Sequence, residues 1–403
     1  MRTAIRSWTA FLAVTGFVMA GFGGFCSTAA EKMIGGMEMN VPFTGGTEGY
    51  DTYRIPAIIE AVDGTLVALA EGRRNGAGDS GDIDLVYRLS HDGGRLWEPM
   101  RVLWDDGRNT CGNPCPVVAA DGTIRLLMTW NRGEDTESRI IAGTSHDTRK
   151  VFLASSSDHG RSWTVPVEIT ADVKSPEWTW FATGPGVGIR LVDGPHAGRF
   201  VIPCDHIERD SRRMRSHVIL SDDGGVTWRR GGTAPLPDVN ECEVAELRGG
   251  AMLLNMRSYD RTTPTRQNCR SDDGGETWTD QRHDPTLIEP VCQASFRRLD
   301  AGGGTVGGES ITADPHRFYL FSNPASTSRR ERMTVRLSDD VAATWRYART
   351  LDTGPAAYSC LVVLRDGTCG CLYEWGERSA YETIRFARFT PEWIMEGDAK
   401  EPE

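Results

Sequence analysis

The octapeptide SDDGGVTW (residues 221–228) recurs along the chain, and this recurrence indicates how the chain folds. SDDGGETW occupies residues 271–278, and related copies begin at Ser90, Ser156 and Ser338. The copies approximate the pattern S-x-D-x-G-x-[ST]-W and start 50 to 67 residues apart. Repetition at this period, with flanks that alternate and show no helical stripe, indicates repeated small sheets.

The residues of this box suit a tight hairpin turn. The Ser and Asp side chains can bond to nearby amides, and the Gly adopts a positive φ that other residues resist. The Trp then packs as an apolar plug between neighbouring strands. In the fifth copy Ala342 replaces the glycine, so we expect that turn to be relaxed or differently shaped. A calcium loop is disfavoured because no helix flanks the box and no Glu closes it.

Five boxes and one sheet without a box predict an all-β fold, a six-bladed β-propeller of four-stranded sheets. The predicted domain spans residues 31–394, and we expect its first and last strands to share a sheet. Residues 395–403 are predicted to form a disordered C-terminal tail.

The N-terminal segment has the features of a secretory signal peptide over residues 1–30. Two arginines precede an apolar run, and small residues follow before Glu31. Lipid attachment at Cys26 is less favoured because Phe25 is too bulky for the preceding position. We therefore expect a secreted or periplasmic protein with no membrane span in the mature chain.

Composition and charge limit the classes of partner and cofactor that the chain is expected to bind. The formal net charge of −11 disfavours nucleic acid as the main partner. The nine cysteines left after cleavage are an odd number at irregular spacing, which is not a disulfide framework. Pairs such as Cys111 and Cys115 lack nearby histidines at ligand spacing, so no metal or other cofactor is expected. The expected oligomeric state is a monomer.

Arginines within apolar strand-like segments suggest a binding site. Arg54 stands in TYRIPAII, Arg257 closes AMLLNMR, and Arg329, Arg330 and Arg332 crowd into SRRERMTVRLS. A propeller points strand ends from different blades at a common axis. Several guanidiniums meeting there would suit a carboxylate, because their planar forks match its geometry.

The boxes together with YRIP resemble the bacterial exo-α-sialidase (neuraminidase) family over essentially the whole mature chain. That resemblance implies an arginine triad that binds the carboxylate of sialic acid. By motif its members are Arg54, Arg257 and Arg330, the last because it lies four residues before the Thr of TVRLS. Arg329 or Arg332 remains possible as the third member.

The resemblance also implies an acid/base aspartate in the loop AEGRRNGAGDSGDIDLV. Asp79 is preferred because it lies in the flexible, glycine-rich part of the loop, whereas Asp84 lies inside a strand-like run and Asp82 immediately before it. Arg73 in the same segment resembles an arginine near O4 of the sugar. The segment WTWFATGPGVGI resembles the rim of the family's site and is expected to have no catalytic role.

The implied nucleophile is a tyrosine, Tyr358 in PAAYSCL. The anomeric carbon of sialic acid bears a carboxylate, so an attacking carboxylate would meet Coulomb repulsion that a neutral phenol avoids. The base is expected in NECEVAEL. Glu241, Glu243 and Glu246 are similar by alternation alone, and the family pattern selects Glu241. Glu374 in LYEWG resembles the carboxylate that orients the first arginine.

The activity implied is retaining hydrolysis of terminal α-linked sialic acid from glycoconjugates or oligosaccharides. A trans-sialidase and a hydrolase of deaminated nonulosonic acid are alternatives within the same chemistry. A propeller that binds sialosides without cleaving them is an alternative of another class. A lectin would need only the arginines, and the chain also carries a candidate acid, nucleophile and base.

Overall fold

Short antiparallel strands form almost all of the regular structure. The computed structural model describes residues 36–300, 305–306, 309–310 and 314–397, which belong to one compact unit of the chain. The predicted signal peptide and residues 398–403 of the predicted tail lie outside the described residues. Within those ranges, each helix is too short or too polar to cross a membrane.

The strands of the described ranges are, in chain order, β1 (Met37–Thr44), β2 (Thr52–Glu60), β3 (Leu66–Arg73), β4 (Ile83–Ser90), β5 (Arg101–Trp104), β6 (Thr110–Val118), β7 (Ile124–Asn131), β8 (Lys150–Ser156), β9 (Val167–Glu168), β10 (Trp178–Thr183), β11 (Ile189–Arg190), β12 (Phe200–Glu208), β13 (Met214–Ser221), β14 (Arg229–Thr233), β15 (Val239–Glu246), β16 (Met252–Ser258), β17 (Thr265–Ser271), β18 (Thr279–Ile288), β19 (Ser295–Arg298), β20 (Thr305–Val306), β21 (Glu309–Ser310), β22 (Tyr319–Pro324), β23 (Glu331–Ser338), β24 (Tyr347–Val363), β25 (Cys369–Trp375) and β26 (Thr383–Phe389). The helices are α1 (Glu137–Ala142), α2 (Thr170–Val173) and α3 (Pro391–Met395).

Most consecutive strands pair as antiparallel meanders, for example β6-β7-β8-β9, β10-β12-β13-β14 and β15-β16-β17-β18. The long β24 pairs with β23 at its start and with β25 at its end. β1 pairs with β26, with Met37 opposite Phe389, so the first and last strands share a sheet as predicted. Neighbouring meanders merge into sheets of seven and eight strands, so the six-blade count stays a prediction.

The innermost strands carry the site and are buried along most of their length, as β2, β6 and β15 show. Hydrogen bonds tie neighbouring inner strands together. Thr183 Oγ1 on β10 donates to Asn113 O on β6 (2.6 Å), and Leu361 N on β24 donates to Ser295 Oγ on β19 (2.9 Å). Because of this packing, side chains from distant parts of the sequence meet at one end of the inner strands.

The boxes form the turns that the sequence predicts. In each box the Ser hydroxyl donates to the Asp carboxylate at 2.8–2.9 Å and accepts from the amide of the fifth residue at 2.8–3.1 Å. The Trp of the last three boxes is buried. Trp345, for example, packs against Phe296 and Phe321. The boxes therefore stabilise the turns and the sheets that they connect.

The prediction of a relaxed fifth turn is wrong. Ala342 N donates to Ser338 Oγ (3.1 Å) and Thr344 N donates to Asp340 Oδ1 (2.8 Å), as in the other boxes. Val341 and Ala342 adopt φ values of +65° and +58°. Left-handed backbone costs roughly 1–2 kcal/mol for a residue with a side chain. The box hydrogen bonds and the buried tryptophan therefore hold the turn without a glycine.

Candidate active site

One fully buried carboxylate organises the floor of the pocket. Glu374 accepts from Arg54 Nε (3.0 Å), from Ile55 N (3.0 Å) and from Tyr358 N (3.1 Å). Ile55 has a φ of +59° where β2 bulges between Arg54 and Ala57. Glu374 therefore fixes the guanidinium of Arg54 and the backbone of Tyr358 in one frame.

Three guanidiniums surround Tyr358. The Cζ atoms of Arg54 and Arg330 lie 5.1 and 5.5 Å from its ring centroid, and Arg257 Nη1 lies 3.2 Å from its hydroxyl. Arg330 donates to Tyr381 Oη (2.9 Å) and forms no ion pair with a carboxylate of the described residues. The pocket lining holds five arginines and five acidic side chains. Of the three arginines around Tyr358, Arg330 has no carboxylate partner among the described residues, so it is left to bind an anion.

The other arginines considered for the triad lie elsewhere. The Arg329 side chain is 76% exposed and pairs with Glu331. Arg332 adopts a φ of +63° and does not line the pocket. Of the three, only Arg330 lines the pocket with Arg54 and Arg257.

Tyr358 and Glu241 form a proton-transfer pair. The Tyr358 hydroxyl donates to Glu241 Oε1 at 2.6 Å, and Arg257 Nη1 donates to Glu241 Oε2 at 2.6 Å. Burial, reinforced by the charge of Glu241, raises the pKa of Tyr358 well above its usual range, although the three arginines oppose the shift. The phenol is therefore neutral, with a carboxylate placed to accept its proton.

The other glutamates of β15 lie outside the pocket. Glu243 accepts from Ser295 Oγ and Phe296 N, and burial raises its pKa to about 7. Glu246 accepts from the amides of Val192 and Asp193. Among these alternatives for the base, Glu241 alone contacts Tyr358.

Asp79 lies at the edge of the pocket with 64% of its side chain exposed. Its Oδ1 accepts from Arg73 Nη1 (2.7 Å) and from Arg54 Nη1 (3.2 Å). Arg73 also donates to the carbonyls of Ala77 and Gly78, so it shapes the loop that carries Asp79. Partial burial raises the pKa of Asp79, but the Arg73 and Arg54 guanidiniums outweigh it and the net shift is downward. The free pocket therefore holds Asp79 as a carboxylate.

The two alternatives to Asp79 point away from the pocket. Asp82 and Asp84 both pair with Arg74, at 3.0 and 2.7 Å. Asp84 is fully buried and also accepts from the Tyr50 hydroxyl (2.6 Å). They hold the base of the loop.

The pocket lining also contains residues that the sequence did not single out: Asn113, Glu137, Arg149, Asp205 and Tyr259. The Arg149 guanidinium lies 4.1 Å from the ring centroid of Trp180, which comes from the predicted rim segment. Asp205 is buried and its Oδ2 has no hydrogen-bond partner in the described part of the chain. Burial, together with the charges of Glu241 and Glu137, raises the pKa of Asp205 well above its usual range.

The sequence contains a pattern that could have identified two of these residues. Arg149 precedes the run VFLAS and Asp205 interrupts VIPCDHI, so each is a charged residue beside or within an apolar strand. The same signal led to Arg54 and Arg257.

Comparison with known proteins gives concordant matches. A family model described as a BNR repeat-like domain matches residues 64–371. A sialidase of Bacteroides fragilis is 30% identical over 82% of this chain, which spans only 61% of that relative. An exo-alpha-sialidase of Aspergillus fumigatus is 30% identical, with 87% of this chain and 86% of the relative covered. The solved structure of the Hadza microbial sialidase Hz136 superposes with a TM-score of 0.77 at 31% identity, over 88% of this chain and 69% of that one.

Proposed function

The chain belongs to the sialidase family with BNR repeats and has its β-propeller fold, and we propose from this premise that it is an exo-α-sialidase. It would hydrolyse terminal α-linked sialic acid from oligosaccharides or glycoconjugates by a retaining mechanism. The observation that carries the proposal is the 2.6 Å hydrogen bond from the Tyr358 hydroxyl to Glu241 within the ring of three arginines.

The arginines are proposed to bind the sugar carboxylate. Arg330 is free of carboxylate partners among the described side chains, and Arg257 lies against the tyrosine hydroxyl, so an incoming carboxylate meets both beside the nucleophile. A desolvated guanidinium–carboxylate contact is strong because both groups are charged and their geometries match. Glu374 keeps Arg54 in place for the third contact.

Substrate binding prepares the acid. In the free pocket Asp79 accepts a hydrogen bond from Arg54, and a sugar carboxylate that binds Arg54 would displace Asp79 from it. Loss of one cation and arrival of one anion both raise the pKa of Asp79, so that it takes up a proton from solvent. Asp79 is then a neutral acid at the exposed edge, where the leaving group departs.

The first step forms a bond from Tyr358 Oη to the anomeric carbon while the Tyr358 proton passes to Glu241. The glycosidic bond breaks, and the leaving oxygen takes the proton of Asp79. Glu241 is placed for this transfer because Arg257 binds its Oε2, which leaves Oε1 to accept from the Tyr358 hydroxyl. Removing the phenolic proton during attack gives a strong nucleophile without a second negative charge facing the substrate carboxylate.

The second step reverses these roles. Water gives a proton to Asp79 and its oxygen to the anomeric carbon, the bond to Tyr358 breaks, and Tyr358 recovers its proton from Glu241. Two displacements return the original configuration.

The direct test is release of sialic acid from 3′-sialyllactose by the wild-type chain and by Tyr358→Phe. Phe keeps the buried ring but removes the hydroxyl, so we expect a loss of about 10³-fold or more in kcat. Tyr259→Phe is a matched control, since Tyr259 lines the pocket and makes no hydrogen bond to Glu241. A Tyr358→Phe variant as active as the wild type would overturn the assignment of the nucleophile.

We further propose that the chain is exported and monomeric. The apolar N-terminal segment with its two arginines supports export. Cell fractionation and light scattering of the purified chain test these two points, and a cytoplasmic or dimeric protein would contradict them.

A further inference from the structure

We propose that a groove beside the Asp79 loop binds the sugar that precedes sialic acid in the substrate glycan. This inference rests on the proposed function and extends it, because it assigns the leaving-group side of the substrate to particular residues. The groove has a volume of about 760 Å³, enough for a sugar ring, and is lined by Asn75, Arg108, Asn109, Trp130, Arg132 and Glu134, among others.

The groove and the catalytic pocket are lined by different residues of the same two chain segments. The loop after β3 contributes Asp79 to the pocket, and Asn75 and Asp82 to the groove. The segment before and within α1 does the same, with Glu137 in the pocket and Glu134 in the groove. Two separate segments thus place the groove next to the candidate acid.

The position of Asp79 decides what enters the groove. A general acid must lie within hydrogen-bond reach of the leaving oxygen. The glycosidic oxygen therefore sits at the exposed edge where Asp79 lies, and the sugar attached to it must extend across that edge. The same loop lines the groove on both sides of Asp79, through Asn75, Gly81 and Asp82.

The lining suits a neutral polyhydroxylated ligand. The Trp130 indole is held by a hydrogen bond from its Nε1 to Asp106 Oδ2 (2.7 Å), and the Lys150 ammonium lies 5.3 Å from its ring centroid. The part of the ring that lines the groove can contact a sugar ring. Arg108 is exposed and forms no hydrogen bond or ion pair through its side chain with the described residues. Acidic groups balance the arginines: Asp82 pairs with Arg74, and Glu134 lies 3.7 Å from Arg132. A recess of mixed charge favours hydroxyl groups over an anion.

The test compares two donors. 3′-Sialyllactose places a sugar in the groove, whereas α-sialyl fluoride has a leaving group that cannot reach it. Trp130→Ala should lower kcat/KM for sialyllactose by about tenfold, the scale of one aromatic contact, and lower it much less for the fluoride. Trp130→Phe should recover part of the loss, because an aromatic ring remains but the hydrogen bond to Asp106 that holds it is gone.

Two further variants keep the result interpretable. Arg108→Ala alters an exposed side chain, and we expect a smaller selective loss on sialyllactose even if Trp130→Ala does not fold. Trp163→Ala, in a box turn distant in sequence from the groove lining, should affect both donors equally. Equal losses on both donors in Trp130→Ala and Arg108→Ala, or no loss in either, would overturn the groove assignment. A wild-type chain inactive on both donors would instead contradict the proposed function, and the groove assignment with it.

Discussion

Asp79 shows how a single residue depends on its partners. In the free pocket it is bound by Arg73 and Arg54 and its pKa is lowered, which is the wrong state for an acid. Its proposed role requires the substrate to displace it from Arg54. The sequence could place Asp79 in a flexible loop, but not show that it and the substrate carboxylate compete for one arginine.

Asp79→Ala should therefore discriminate between leaving groups. Activity on 3′-sialyllactose, which leaves as a sugar alkoxide, should fall by about 10²–10⁴-fold. A nitrophenyl sialoside leaves as a stabilised phenolate, so its first step should survive far better. Steady-state kinetics on both substrates measure this, with Asp121→Ala as the control because Asp121 is an exposed aspartate that lines neither the pocket nor the groove. Equal losses on both substrates would mean that Asp79 positions the sugar and protonates nothing.

Asp205 offers a test based on pH. Its pKa is raised in the folded protein by burial and by Glu241 and Glu137, while Arg149 and Arg257 act in the opposite direction. The folded state therefore holds this proton more tightly than the unfolded state, and stability is lost as pH rises from 3.8 through the raised pKa. Asp205→Asn removes the titrating group but keeps an oxygen to accept from Asn240 Nδ2 (2.8 Å).

We expect Asp205→Asn to have a higher Tm than the wild type at pH 7, with the difference shrinking towards pH 4. Thermal unfolding followed by circular dichroism across that range gives the answer. A difference that is constant with pH, or a wild type that is the more stable at pH 7, would show that Asp205 is not held protonated by the fold.

At the scale of elements, the box motif predicted the positions of the turns, but it did not predict that a turn could form without its glycine. The Ser, Asp and Trp positions could be read directly, because their hydrogen bonds and packing are local. The outcome at Ala342 could not, because it depends on Trp345 packing against Phe296 of another strand. Local conformational preference was outweighed there by contacts that are remote in the sequence.

The box glycines separate backbone strain from packing. Gly224 has a φ of +74° and open space around an added Cβ, so Gly224→Ala should cost about 1 kcal/mol in the free energy of unfolding. Gly94 has a φ of +86°, and a Cβ there would overlap the ring of Phe386, so Gly94→Ala should cost a further 1–3 kcal/mol, roughly the penalty of overpacking a core. Urea denaturation of both variants measures the difference, and equal costs would mean that the Phe386 ring yields freely.

At the scale of the whole molecule, the sequence predicted the all-β class, the pairing of the two terminal strands and the cluster of candidate site residues. It could not give their mutual geometry. Arg54 and Glu374 are 320 residues apart, and Tyr358 and Glu241 are 117 apart, so each contact exists only once the strands have assembled. Arg149 and Asp205 were missed because a charged residue in an apolar strand can equally be a structural ion pair until its surroundings are known.

The proposed mechanism depends on attack by Tyr358 on the sugar, with Glu241 as its base, in a double displacement. The most direct measurement is proton NMR of the sialic acid first released from 3′-sialyllactose, recorded before mutarotation. A double displacement predicts the α-anomer, because two displacements preserve the configuration. Initial appearance of the β-anomer would show that water attacks directly, and Tyr358 would then have no covalent role.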